Sequence, residues 1–301
     1  MYHLVYVPLY LLSLLPFRAI YWLSDGICFL LYHVFRYRRE MVFDHLKQAF
    51  PGKTEKEIGQ IAKKFYRNFS DTWVEMIKVF SMTPAQAQRR IECDFSIVEK
   101  WHKEGKSVQV VGGHFMNWEY LPVAVPLFQP FVALAIYMPV SNKVMDRIVF
   151  DLRSRFGMVL LRAGRMQEEM KPWHEKQYLM VVGADQSPSD PSNAYWLNFC
   201  NRPTGFIRGP WQRAVKDAQP YAFFHIQKLR RGYYKFSMEA FEEQPRGKDP
   251  ATLAMKYAKM LEADIKANPD LYLWSHKRWK KPWKAEYIPL WVDGTPPPMS
   301  N

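Results

Sequence analysis

His114 and Glu119 are the two residues of this chain best placed to do chemistry together. They stand in the segment Ser107 to Leu121, SVQVVGGHFMNWEYL, after an apolar run and a Gly-Gly turn, with four residues between them. A neutral imidazole can take a proton from a hydroxyl, and a carboxylate beside it fixes its tautomer and stabilises the imidazolium that forms. Five helical steps of about 100° would set the two side chains roughly 140° apart, so they meet only if His114 sits on the turn ahead of the helix. No Ser or Cys lies close to His114 to serve as an enzyme nucleophile. The attacking hydroxyl is then expected from the substrate. The competing reading is a polar His at a strand end that caps the next helix.

The elements needed to hold such a pair are legible around it. Ser107 to Val111 is a β-branched run of the kind buried in a parallel sheet, Gly112 and Gly113 give the backbone freedom for a sharp exit, and Asn117 onward reads as helix. Further strands are expected at Phe131 to Tyr137, Met158 to Leu161, Tyr178 to Gly183, Tyr221 to Gln227 and Tyr233 to Ala240. They alternate with helices at Lys143 to Phe156, Met166 to Lys176 and Thr252 to Ala267, a pattern that predicts an α/β fold. Thr54 to Phe80 carries Ile58, Ile61, Phe65, Phe69, Trp73, Ile77 and Phe80 at helical steps, and Pro84 starts another helix. Asp185 and Gln186 fall at the carboxyl end of the Tyr178 to Gly183 strand, where open α/β sheets place their sites, with helix capping by Asp185 as the alternative. There is no internal repeat, and the only low-complexity piece is the tail around Pro296 to Pro298, which is expected to fray.

Composition narrows the partners. The 301 residues are 48% hydrophobic, enough for a substantial core, and 42 Lys and Arg against 29 Asp and Glu give a net charge of +13. Acidic partners follow: a phosphorylated lipid, an anionic membrane face, an acidic carrier protein or a nucleic acid. Cys28, Cys93 and Cys200 are scattered, which fits neither a disulfide framework nor a zinc site and suits a reducing compartment. Neither a metal nor a cofactor is expected.

Leu4 to Leu15 and Ala19 to Phe35 are apolar tracts interrupted by Pro16, Arg18 and Asp25, rich in Tyr and Trp, and followed by Arg36, Arg38 and Arg39. They predict a membrane anchor over residues 1–39 with the remainder, 40–301, kept on the cytoplasmic side, the alternative being two buried helices of a soluble domain. The carboxyl-terminal cluster interleaves His276, Lys277, Arg278, Lys280, Lys281 and Lys284 with Trp274, Trp279 and Trp283. It suits an anionic membrane or an acidic carrier protein, and equally single-stranded nucleic acid. The apolar amino terminus favours the membrane, and no nucleic-acid partner is expected.

Four ordered motifs carry a resemblance: GGHFMNWE, RSRFG at Arg153 to Gly157, ADQSPS at Ala184 to Ser189, and LYLWSHKRWKKP at Leu271 to Pro282. With SLLPFRAIYWLSD and YRREMVFDHLKQAFP, they resemble the lipid A late acyltransferases, most closely the version found in Bacteroidetes, over nearly the whole chain. One departure is His45-Leu46 where the family usually has Asn-Leu, a position expected to be peripheral. The resemblance implies a glycerolipid-acyltransferase-like mixed sheet flanked by helices and a His114 and Glu119 dyad. It also implies an acyl carrier protein thioester, or acyl-CoA, as donor and a lipid A precursor at the inner membrane as acceptor. It points to Arg153 or Arg155 for an oxyanion or phosphate; Asp185 and Gln186, from their strand end, and Arg278, from the basic cluster, are further substrate-binding candidates. An acyltransferase for another lipid or glycan would share this dyad, and a membrane-tethered binding protein could keep both residues without turnover.

Overall fold

The apolar run before the Gly-Gly turn becomes the middle of a seven-stranded mixed sheet in the computed structural model, which describes residues 1–297. Pro298, at the end of the tail expected to fray, lies outside the described residues.

The chain opens with α1 (Tyr2–Leu14) and α2 (Phe17–Phe29), the latter continued by a wide helical turn over Leu30–Val34. Next come α3 (Arg39–Ala49), α4 (Glu55–Lys78), α5 (Pro84–Gln88), β1 (Ile91–Asp94) and α6 (Ser96–Lys103). The central part runs β2 (Val108–Gly112), α7 (Leu121–Phe128), β3 (Val132–Tyr137), α8 (Lys143–Ser154), β4 (Val159–Arg162), α9 (Met166–Glu169) and β5 (Tyr178–Gly183). A hairpin of β6 (Ala194–Phe199) and β7 (Arg202–Ile207) precedes α10 (Gly209–Asp217), β8 (Tyr221–Arg230), β9 (Tyr233–Glu242) and α11 (Pro250–Ala267). The strand order is β1-β9-β8-β2-β5-β3-β4, with β8 and β9 antiparallel and the other pairs parallel.

All five residues of β2 are buried, as its position between β5 and β8 demands. The register aligns Gly112 of β2 with Gly183 of β5, so the two strands end level and the residues two positions beyond each, His114 and Asp185, leave the sheet side by side. The two glycines of the turn do not have the role expected of them. Neither has positive φ. What they need is room, since a Cβ on Gly112 would stand 2.5 Å from the Phe224 ring and one on Gly113 2.4 Å from Leu261.

The long helix α4 is capped by Thr54 and Glu57, each accepting from the other's backbone N–H, an arrangement that stabilises a helix start by about 1 kcal/mol. It is more enclosed than its apolar stripe predicts. Trp73 is 42% exposed, whereas Asp71 and Glu75 are fully buried, because α2 packs along the polar face of α4. Ser24 donates to Asp71 at 2.7 Å, Tyr21 donates to Glu75 at 2.7 Å, and Arg231 bridges Asp25 and Asp71. The Lys78 ammonium donates to the carbonyls of Ser13 and Leu15, fixing the bend between α1 and α2. Among the described residues no single helix is long and apolar enough to cross a membrane. α1 and the extended α2 pass that test only as a pair bent by 118°. Most of their outward side chains are apolar, with Leu4, Leu11 and Trp22 each more than half exposed, although Arg18 and Asp25 also face outward.

Three other expectations change. The helix expected over Met166 to Lys176 is one short turn followed by a tighter turn at Lys171–Trp173, with Pro172 ending the first. The β6–β7 hairpin was not anticipated. His45, expected at the periphery, is 4% exposed, its Nδ1 3.0 Å from the Trp274 carbonyl oxygen.

Candidate active site

His114 stands just beyond β2, ahead of a tight helical turn at Trp118–Tyr120 that leads into α7. The position ahead of the helix is the one its spacing from Glu119 requires. Its partner, however, comes from the neighbouring strand. His114 Nδ1 lies 2.6 Å from Asp185 Oδ1, and the His114 backbone N–H donates to Asp185 Oδ2 at 2.9 Å. Asp185 is 3% exposed, and a quarter of the imidazole remains open to a slot at the sheet end. Gly183 permits this contact, because a Cβ there would stand 2.8 Å from His114 Cε1.

Burial disfavours the imidazolium of His114, but the Asp185 charge, its hydrogen bond and the Glu119 charge outweigh it and raise the pKa above the ordinary imidazole value. The Asp185 carboxyl, although buried, is held below its usual range by His114, by the His114 backbone N–H and by the charge of Arg278. With Nδ1 donating to a carboxylate, the lone pair of Nε2 is the one left for a proton. It lies 3.3 Å from the Gln186 amide nitrogen.

Glu119 is close enough to act on His114 through its charge, but its hydrogen bonds go elsewhere. Arg153, in the last turn of α8, donates Nε to Glu119 Oε2 at 3.0 Å and Nη2 to Oε1 at 2.6 Å, and the Trp118 indole adds a bond of 3.0 Å. Such a two-bond clamp fixes a guanidinium in orientation as well as position. Arg153 also lines the slot. Arg155 does not: its Nη1 donates to the Val79 and Met82 carbonyls at 2.5 and 2.6 Å, tying α8 to the end of α4.

Arg278, grouped by sequence with the basic surface, is 3% exposed. Its Nη2 donates to the Gly205 carbonyl at 2.8 Å, and the guanidinium sits 4.6 Å from the Phe206 ring centre. Its charge acts on Asp185 from inside the protein. His276 also turns inward. Burial first, then the nearby cations, push its pKa down to about 4, and the neutral ring accepts the Ser187 backbone N–H at 3.3 Å.

Sequence reading missed Asn117 and Glu75. Asn117 accepts the Glu119 backbone N–H at 2.9 Å and donates to Glu75 at 2.8 Å. Glu75, fully buried, also accepts from Tyr21 and Tyr234, so one carboxylate ties α2, α4 and β9 to the turn after His114. The only signal was an acid next to the apolar stripe of α4.

The slot has a volume of about 140 Å³. His114, Glu119 and Arg153 stand at its polar end, and Leu121, Ile136, Met158, Leu160, Val181 and Phe224 line the rest. Among the described residues no cluster of His, Cys, Asp or Glu could hold a metal ion. An imidazole held by a buried carboxylate, beside a fixed guanidinium and an apolar slot, suits an enzyme that moves an acyl group onto a hydroxyl.

Comparison with known proteins gives the same class. The chain belongs to the bacterial lipid A biosynthesis acyltransferases, whose family model matches residues 1–281, and it is an acyltransferase. It is similar to the lipid A biosynthesis lauroyltransferase of Escherichia coli (strain K12), 23% identical over 278 residues that cover 90% of this chain and 89% of that one. The lipid A biosynthesis palmitoleoyltransferase of the same organism is 20% identical over 271 residues, 88% of this chain and 86% of that one. A lipid A biosynthesis acyltransferase of Shigella flexneri matches to the same extent, 20% over 271 residues.

Proposed function

We propose that this enzyme transfers a fatty acyl chain from an acyl carrier protein thioester to a hydroxyl of a lipid A precursor, with His114 as general base. Residues 1–39 seat it on the inner membrane, and residues 40–301 form the catalytic domain on the cytoplasmic face. His114 Nε2 takes the hydroxyl proton, the alkoxide attacks the thioester carbonyl, and the carbon–sulfur bond breaks as the tetrahedral intermediate collapses. The imidazolium returns its proton to the departing thiolate. No covalent enzyme intermediate is needed. Arg153, clamped by Glu119, faces the oxyanion or a phosphate of the acceptor, and Asp185 holds the imidazole in the tautomer that leaves Nε2 free. Glu119 thus serves the base through its charge and serves the guanidinium through its bonds. The apolar wall of the slot is the natural place for the hydrocarbon beside the carbonyl.

The observation that carries this reading is the His114 ring, bonded through Nδ1 to a buried carboxylate and a quarter exposed at the polar end of an apolar slot, with the Gln186 amide beside Nε2. The family supplies the acceptor class, and the excess of basic residues favours an acidic carrier as donor. His114→Ala is expected to lower acyl transfer by at least about 10²-fold with the fold intact. Mass spectrometry of lipid A from cells with and without the chain is expected to show one acyl group missing in its absence. Wild-type turnover from the His114 variant in a purified assay would refute the mechanism, and unchanged lipid A would refute the acceptor.

A further inference from the structure

The rim of the slot carries side chains that acyl transfer itself does not use. β3 ends at Tyr137, and the segment after it exposes Met138 to 73% and Val140 to 45%, with Met145 on the first turn of α8 exposed to 38%. Ile136, one residue inside the strand, lines the slot and is 40% exposed, so this apolar rim is continuous with the slot wall.

The rim is built, not loose. Asp146 accepts the Val140 backbone N–H at 2.7 Å and the Tyr137 hydroxyl, and Asn142 accepts the N–H groups of Val144 and Met145 at 3.0 and 3.1 Å. These bonds fix the backbone of a segment whose apolar side chains stand in solvent, an arrangement that water alone disfavours.

Two exposed cations, Lys143 and Arg147, stand one turn apart on α8; Arg147 pairs with Asp151 at 3.8 Å, while the Asp146 carboxylate is occupied by the rim itself. Arg147 lies over the Tyr2 ring at 4.7 Å, and Tyr2 donates to Asp151 at 2.8 Å. These contacts lay α1 against α8. The outward apolar residues of α1, Leu4 and Leu11 among them, therefore sit on an element touching the one that carries the rim.

We propose that this rim is a second lipid-contacting surface. Met138, Val140 and Met145 enter the acyl region of an anionic bilayer, Lys143 and Arg147 meet its phosphates, and the slot opens onto the membrane rather than into bulk water. The contact with lipid rests on the proposed membrane seat of residues 1–39, and only the use of the slot rests on the acyl-transfer step. The exposed apolar side chains of the rim and their continuity with the apolar outward face of α1 select a bilayer as occupant.

The test uses the full chain with Cys28 and Cys93 replaced by Ser, carrying a bimane label at Met138→Cys, at Leu11→Cys or at Lys248→Cys. Each protein is reconstituted into phosphatidylglycerol and phosphatidylethanolamine vesicles with brominated acyl chains. The label at 138 is expected to lose fluorescence to the brominated lipid as the label at 11 does, and to become shielded from aqueous iodide, while the label at 248 does neither. A label at 138 that stays open to iodide and untouched by brominated lipid overturns the proposal. So does one that becomes shielded only when acyl carrier protein is added, which makes the rim a protein-docking surface. A second measurement uses the double variant Met138→Asp and Val140→Asp, expected to lose turnover with a vesicle-embedded acceptor and to keep it with the acceptor in detergent micelles. Equal loss in both settings counts against the surface. Lipid quenching at 138 in a protein without any acyl transfer would uphold the surface and sink the proposed activity.

Discussion

Asp185→Asn separates the two carboxylates that surround His114. Asn keeps the volume, and its carbonyl oxygen can still accept the His114 backbone N–H now given to Asp185 at 2.9 Å. Its amide must then face Nδ1, 2.6 Å away in the native pair, and donate to it. That moves the imidazole proton to Nε2, the atom proposed to act as base. A hydrogen bond to a charged group stabilises by about 1.5–3 kcal/mol, which at about 1.36 kcal/mol per decade is roughly 10- to 150-fold in rate. The inverted tautomer adds to this, and losses of about 10²–10⁴-fold are expected in kcat/KM when an orienting carboxylate is so replaced.

The pH profile tests the same idea through its sign. Reaction needs the neutral imidazole, so activity falls as pH drops through the raised His114 pKa, and the native acid limb lies above the ordinary imidazole value. Burial opposes the charged ring and the Asp185 charge supports it; without that charge burial prevails and the limb moves to lower pH, even as the plateau falls. Glu119→Gln removes a smaller contribution to His114 and breaks the clamp on Arg153. Its limb is expected to move less than that of Asp185→Asn. Initial rates across pH with an acyl carrier protein donor decide between them. An unmoved limb in Asp185→Asn, beside a strongly lowered one in Glu119→Gln, would make Glu119 the working partner of the base and refute the argument from the hydrogen bonds.

Two further substitutions separate support from chemistry. Gly183→Ala places a methyl group 2.8 Å from His114 Cε1, and is expected to displace the ring and cut turnover while overpacking costs about 1–3 kcal/mol of stability; chemical denaturation beside turnover checks both, and full activity would show that the ring has room to move. Arg155→Ala removes two bonds to the Val79 and Met82 carbonyls at a partly solvated site. It is expected to lower stability by about 1–2 kcal/mol and to leave the acid limb of the pH profile where it is, whereas a shifted limb would bring Arg155 into the site.

The local parts of this site were readable because their signals are local. The run Tyr178–Gly183 is a strand with the bounds expected of it, since its apolar residues fill the middle of a buried parallel sheet. The β6–β7 hairpin escaped notice because Asn198, Pro203 and Gly205 interrupt its pattern, and they are tolerable there because the two strands pair only with each other within their sheet. The hydrogen-bonding partner of the imidazole could not be found by spacing at all. Asp185 lies 71 residues from His114, and only the alignment of Gly112 with Gly183 across β2 and β5 puts them together. Sequence placed Asp185 at a strand end and Glu119 near the His, both of which hold. It then joined the His to the nearer acid, because separation along the chain is the only distance a sequence displays.

The same limitation explains Arg278 and Glu75. A cation amid Lys and Trp reads as surface, and an acid beside an apolar helix stripe reads as a solvated face, until other elements cover them. Arg278 is covered by the β6–β7 hairpin and Glu75 by α2, and each then bears on a site residue: Arg278 through its charge on Asp185, Glu75 through Asn117. A buried charge is costly unless paired or hydrogen-bonded, so a covering element that drifted away would leave these groups in a different balance. The amino-terminal helices therefore belong to the mechanics of the site: Tyr21 of α2 and Asn117 of the turn after His114 are bonded to the same buried carboxylate.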